Sequence, residues 1–179
     1  MELSLTRPLC FFDLETTGVN VAKDRVVEIS ILKIFPNGNK ESKTWLVNPE
    51  MPIPPQTTAV HGITDEKVAN EPTFKQLSKD IYSMIKGSDL AGFNSDRFDI
   101  PLLAEEMLRA EIDVDFKKHL TVDVQTIFHK MEKRNLSAAY KFYCGKDLDN
   151  AHSAEADTNA TYEVLKSQIE KYDELENDV

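Results

Sequence analysis

Cysteine is scarce: Cys10 and Cys144 are the only two in 179 residues. They cannot build a disulfide framework, and a reducing compartment is the expectation. Long hydrophobic runs are missing too. No stretch approaches the roughly 20 apolar residues of a bilayer span. The N-terminal MELSLTRPLC has no apolar signal core. These absences predict a cytoplasmic chain with no membrane partner. No internal repeat and no low-complexity linker breaks the sequence, so one domain over residues 1–179 is expected, its last few residues frayed. Positive charge is in deficit: 21 Lys and Arg stand against 31 Asp and Glu, a formal net charge of −10. Such a chain does not coat nucleic acid by charge alone. It is still compatible with a grip on a nucleic-acid end through bound metal ions.

What is present reads as an ordinary globular composition, 41% hydrophobic and 29% charged. Residues 8 to 15 read as a first strand. Residues 25 to 35, RVVEISILKIF, are apolar on both faces and predict an internal strand. PNGN is a turn, and residues 43 to 48 are the return strand of a hairpin. The proline-rich stretch 49 to 64 predicts a long ordered loop. Beyond it, helical and strand patterns alternate. Phe74, Leu77, Ile81, Met84 and Ile85 form a helical stripe, DLAGF reads as a strand, and a helix begins near Pro101. LTVDV is another strand. Helical spacing returns around Val124 to Met131, around Leu136 to Tyr143, and from Ser153 to Tyr172. The expected class is α/β, a mixed sheet flanked by helices.

Three places carry acids where apolar residues are expected. In CFFDLETTG, strand alternation puts Asp13 and Glu15 on one face and Cys10, Phe12 and Leu14 on the other. In GFNSDRFDIPLL, Asp99 closes a strand-to-helix junction. In AHSAEADTNA, Asp157 heads the helical stripe of Ala160, Thr161, Val164, Leu165 and Gln168, with His152 just before the helix. Each has a bland reading alone: chance, a helix cap, a loop histidine, a carboxylate at a helix N-terminus. As a set, four carboxylates and a histidine suit hard divalent cations such as Mg²⁺ or Mn²⁺. Cations also relieve the repulsion between Asp13 and Glu15.

FFDLETTG, GFNSDRFDIPLL and AHSAEADT, in that order along nearly the whole chain, resemble the three motifs of the DEDDh 3′→5′ exonucleases. That family includes the epsilon proofreading subunit of bacterial DNA polymerase III, ribonuclease T and oligoribonuclease. VHGIT, residues 60 to 64, resembles a loop of the epsilon-like branch. The resemblance implies a ribonuclease H-like fold with a mixed five-stranded sheet. It implies two divalent cations, with Asp13 bridging them, Glu15 and Asp157 holding one, and Asp99 holding the other. It also implies His152 as general base. The implied substrate is nucleic acid with a single-stranded 3′ end, most readily DNA, and the implied partner is a DNA polymerase subunit. An RNA-processing exoribonuclease and a catalytically silent binding module are the alternatives.

By the same resemblance, Leu14 and Thr16 contact the terminal sugar, His61 lies near the terminal base, Ile63 serves as a stacking wedge, and Asn94 shapes the site for the 3′ end. Bland readings stand beside these: a turn threonine, a solvated loop histidine, a capping asparagine. Phe93 replaces the histidine common before this Asn in the epsilon-like branch. Glu28 reads either as a neighbour of the metal acids or as half of a structural ion pair. Asp123 reads as structural, Trp45 as core, and His119 and His129 as surface residues. The basic residues gather only in short groups, Lys117 with Lys118 and Lys130 with Lys133 and Arg134. That sparseness predicts binding to the end alone, levelling off beyond roughly four nucleotides.

Overall fold

The computed structural model describes residues 2–149 and 151–177. The chain divides into two compact units, Met1–Ile127 and Phe128–Val179.

The first unit is built on a five-stranded mixed sheet. Its strands are β1 (Leu9–Thr16), β2 (Val26–Ile34), β3 (Lys40–Leu46), β4 (Asp89–Gly92) and β5 (Thr121–Asp123), in the order β3-β2-β1-β4-β5. β1, β2 and β3 form an antiparallel meander, and β4 and β5 join in parallel. β1 is therefore central, and β2 is internal as its apolar sequence predicts. One face of β1 carries Cys10, Phe12 and Leu14. They share a core with Ile29 and Ile31 of β2 and Trp45 of β3. Helix α3 (Phe74–Ile85) adds Phe74, Ile81 and Ile85, and α4 (Asp99–Arg109) adds Leu102, Leu103 and Met107. α3 starts cleanly because Thr73 and Gln76 cap each other reciprocally.

The proline-rich stretch is not all loop. Pro55–His61 forms a short helix, α1, and Asp65–Val68 forms α2. Proline breaks a helix interior but suits its first turn, and Pro54 and Pro55 occupy the cap and first positions. Ile53, Ile63 and Val68 close a small second core with Val27.

Helix α5 (Val124–Met131) spans the sequence boundary between the units. The second unit contains α6 (Leu136–Cys144) and α7 (Ala154–Lys171). The Tyr140 hydroxyl donates to Glu163 over 2.9 Å, and Lys146 reaches the same carboxylate at 3.1 Å. The inward stripe of α7 differs in part from its spacing. Ala160 and Val164 are buried, Glu163 is half-buried under those two partners, and Thr161 and Leu165 are exposed.

Candidate active site

In the first unit, the end of β1 gathers three of the predicted acids. Asp13 and Glu15 share the face of β1 opposite the core, with Asp13 exposed and Glu15 half-buried. Asp99 is the first residue of α4 and is only 5% exposed. Its Oδ1 accepts the Leu14 N–H at 3.2 Å, which hangs the carboxylate on β1 beside Asp13.

Two local features make that approach feasible. At Gly92, a Cβ would lie 2.6 Å from Ser95 Cβ and 3.2 Å from the Phe12 carbonyl oxygen. Only glycine lets the β4–α4 turn lie this close to β1. The turn is then held by Asp123 at the end of β5, whose carboxylate accepts the N–H groups of Asn94, Asp96, Gln125 and Thr126. Burial alone would raise the Asp123 pKa, but these four donors outweigh it and hold the group below the usual carboxylate range. Asp123 is structural, as its sequence context predicts. Asn94 adopts φ 61° at this turn and is half-buried.

The acids repel one another. Burial raises the Asp13 pKa, partly offset by its bond to the Leu14 backbone. Burial also raises Glu15, and Asp13 raises it further. Asp99 is pushed up to about 6 by burial and then by Asp13. Glu28 stands directly opposite Glu15 in the β1–β2 ladder and adds to that repulsion. Among the described residues neither Glu28 nor Asp13, Glu15 or Asp99 is paired with Lys or Arg, so Glu28 is not half of a structural ion pair. Hard oxygen donors in mutual repulsion, with only His61 to offset the charge on Glu15 and no Lys or Arg paired to them among the described residues, fit a divalent metal ion. Among the described residues no three His, Cys, Asp or Glu side chains form a preassembled cage. Mg²⁺ ordinarily takes one or two carboxylates and completes its shell with water and substrate phosphate.

The register of β1 against β2 slips between Glu15, opposite Glu28, and Thr16, opposite Val26. Such bulges re-aim side chains beside functional sites. Past the bulge, Thr16 is buried and its hydroxyl donates to the Gly18 carbonyl over 2.6 Å. His61 is pinned and not solvated: its Nδ1 accepts the Ile63 N–H at 3.0 Å, so its Nε2–H donates to the Thr16 carbonyl at 3.1 Å. It fastens α1 to the end of β1.

Two expectations for substrate contacts are corrected. Ile63 is 2% exposed and packs in the second core, so its side chain is no stacking wedge. The Leu14 side chain is buried in the main core, and its N–H is already given to Asp99. Only the Leu14 backbone borders the acids.

In the second unit, His152 and Asp157 are neighbours. The His152 N–H donates to Asp157 Oδ1 at 3.3 Å, across the start of α7. His152 is exposed and has φ 76°, a strained value for a residue with a side chain. Asp157 is half-buried.

One pair escaped the sequence reading. Glu106 of α4 is 1% exposed and grips Arg25 through two bonds, 2.7 Å to Nε and 3.1 Å to Nη2, and it also accepts the Val26 N–H. This holds α4 to the start of β2, seven residues beyond Asp99. The burial of Glu106 could be read from the sequence, because Leu102, Leu103, Glu106 and Met107 form one inward stripe; its partner could not.

A model of a family described as exonuclease matches residues 10–165. DNA polymerase III subunit epsilon of Treponema pallidum is 30% identical over 170 residues, which cover 88% of this chain and 74% of that protein. The 3′-5′ exonuclease DinG of Staphylococcus haemolyticus is 28% identical over 166 residues, covering 91% of this chain but 18% of that protein. Exonuclease I of E. coli, solved with a dT13 oligonucleotide, superposes with a TM-score of 0.65 at 19% identity, over 92% of this chain and 41% of that one. The chain thus spans less than half of exonuclease I and under a fifth of DinG. The likeness to exonuclease I confirms the expected ribonuclease H-like fold. With its matched region running from the first strand into the last helix, the chain belongs to the DnaQ-like 3′→5′ exonuclease family, whose members depend on divalent metal ions.

Proposed function

We propose that this exonuclease removes nucleoside 5′-monophosphates one at a time from single-stranded or frayed 3′ ends, of DNA above all, and that residues 1–179 work as one catalytic domain. The observation that carries the reading is the buried Asp99 carboxylate, fixed to β1 beside Asp13 with no basic partner among the described residues. Asp13, Glu15, Asp99 and Asp157 would hold two cations, Mg²⁺ or Mn²⁺. Bound there, the cations would supply charge that stabilises both the attacking and the leaving oxygen of an in-line displacement.

The chain's own residues do the rest. His152 accepts a proton from the attacking water, for which its exposed imidazole is suited. Its backbone bond to Asp157 keeps base and acid together. Water attacks the terminal phosphodiester, and the bond to the 3′ oxygen of the penultimate nucleotide breaks. That oxygen takes a proton from solvent water and leaves as the 3′-hydroxyl of the shortened strand. The terminal nucleotide lies against the backbone of residues 14 to 16, with His61 holding that segment and Asn94 shaping the far side. The likeness to the Treponema epsilon subunit supports a polymerase subunit as partner.

The test uses matched 5′-labelled DNA and RNA oligonucleotides with Mg²⁺, Mn²⁺ or chelator. The expected result is a ladder shortening from the 3′ end, 5′-monophosphate products, faster loss of DNA, and no cleavage in chelator. Cleavage in fully metal-free protein, or release of 3′-phosphates, would overturn the proposal. Faster loss of RNA would replace its substrate.

A further inference from the structure

Charge is unevenly spread along this acidic chain. Residues 128–146 hold Lys130, Lys133, Arg134, Lys141 and Lys146 against the single acid Glu132, a net charge of +4, and leave −14 for the rest. Lys141 pairs with Asp147 and Lys146 with Glu163. Lys130, Lys133 and Arg134 have no carboxylate partner among the described residues.

The same segment exposes aromatic rings. Phe128 is 47% exposed with the Arg134 guanidinium 5.7 Å from its ring centre. Phe142 is 66% exposed with Lys171 Nζ at 4.2 Å. An open groove of about 510 Å³ is lined by Lys133 and Arg134 beside the one acid Glu132, and by Leu136, Ala139 and Phe142. Rings beside unpaired cations form the chemistry that holds single strands: bases stack on the rings and phosphates meet the cations. A protein partner would fit the apolar rings but would not need the three free cations.

We infer that this groove is a second contact for single-stranded nucleic acid, holding the strand 5′ of the nucleotides being removed. The inference rests on the exonuclease reading, and it replaces the expected grip on the terminal nucleotides alone. Stacking on Phe142 fixes the strand, and Lys133 and Arg134 neutralise its phosphates.

The test measures affinity by fluorescence anisotropy in the cleavage-dead Asp13→Asn background with Mn²⁺, using oligothymidylates of about 4 and about 15 nucleotides, the span of single-strand site sizes. The longer strand is expected to bind on the order of 10-fold tighter, the effect of one stacked base. Lys133→Gln/Arg134→Gln should remove most of that gain and lower the salt slope by about 1.4, at roughly 0.7 for each of two phosphate contacts. Phe142→Ala should remove gain with little change in slope. Tetramer cleavage by both variants in the otherwise native protein should match wild type. No gain with length, or a gain that both variants keep, overturns the inference. So does an equal loss on tetramer and long strand. If the native protein cleaves no oligonucleotide, the exonuclease reading fails, while the anisotropy still decides the groove.

Discussion

The Leu14 N–H and Asp99 Oδ1 meet at 3.2 Å, so the central strand and the first residue of α4 are joined at the point where the acids converge. The bond favours the ionised carboxylate, yet burial and the nearby Asp13 win and raise Asp99 to about 6.

That shift has a sign. A carboxyl raised above its unfolded value contributes stability that is fully present below the unfolded pKa, near 3.9, and is lost as pH rises through about 6. About two units at ~1.4 kcal/mol each give on the order of 3 kcal/mol. In chelator, Asp99→Asn should therefore gain on wild type between about pH 4 and 7. Thermal melts across that window check it, and a pH-independent difference would count against the burial of this charge.

Arg25 neutralises a carboxylate that is 1% exposed. Arg25→Ala should cost about 3 kcal/mol, because it removes two hydrogen bonds from the buried Glu106 carboxylate and leaves it only Arg109 at 3.7 Å as a counter-charge. Arg25→Met with Glu106→Leu should cost less, since the buried carboxylate goes together with its main partner and only the partly exposed Arg109, 3.7 Å from Glu106, loses a neighbour. Urea unfolding of both variants decides; equal losses would mean that the packing of Arg25, and not its charge, holds α4.

His152→Ala should lower turnover by about 10²–10⁴ while Mn²⁺ binding persists, since the imidazole is assigned to the water and not to the metal. Titration calorimetry on the variant separates the two. Loss of metal binding together with turnover would make His152 a ligand.

Much of this was legible in the sequence, and for physical reasons. Acids stand out in apolar strands and helix stripes, so Asp13, Glu15, Asp99 and Asp157 announced themselves by position. Five strands were readable from alternation in β1, the apolar run of β2, the turn before β3 and two short apolar segments, although β3 begins three residues earlier than expected. Ile63 was not legible, because an isolated residue in a proline-rich stretch has no periodicity to reveal which way it packs. The helix at Pro55–His61 was hidden because proline signals a breaker and a first-turn residue with the same letter. Arg25 and Glu106 meet across 81 positions, a pairing that no local pattern encodes. The positive segment was visible as short charge groups, but only the exposure of Phe128 and Phe142 makes it a surface.

The central proposal is that Asp13 and Asp157 take part in one reaction. The direct measurement is cleavage of a 5′-labelled single-stranded DNA oligonucleotide with Mn²⁺ by wild type, Asp13→Asn, Asp157→Asn and the double variant. Groups that act as a unit are strongly non-additive. Each single variant should slow the 3′-end ladder to a small residual rate, and the double should be no slower than the slower single variant. An Asp157→Asn protein that cleaves like wild type, or single losses that multiply in the double, would contradict the account.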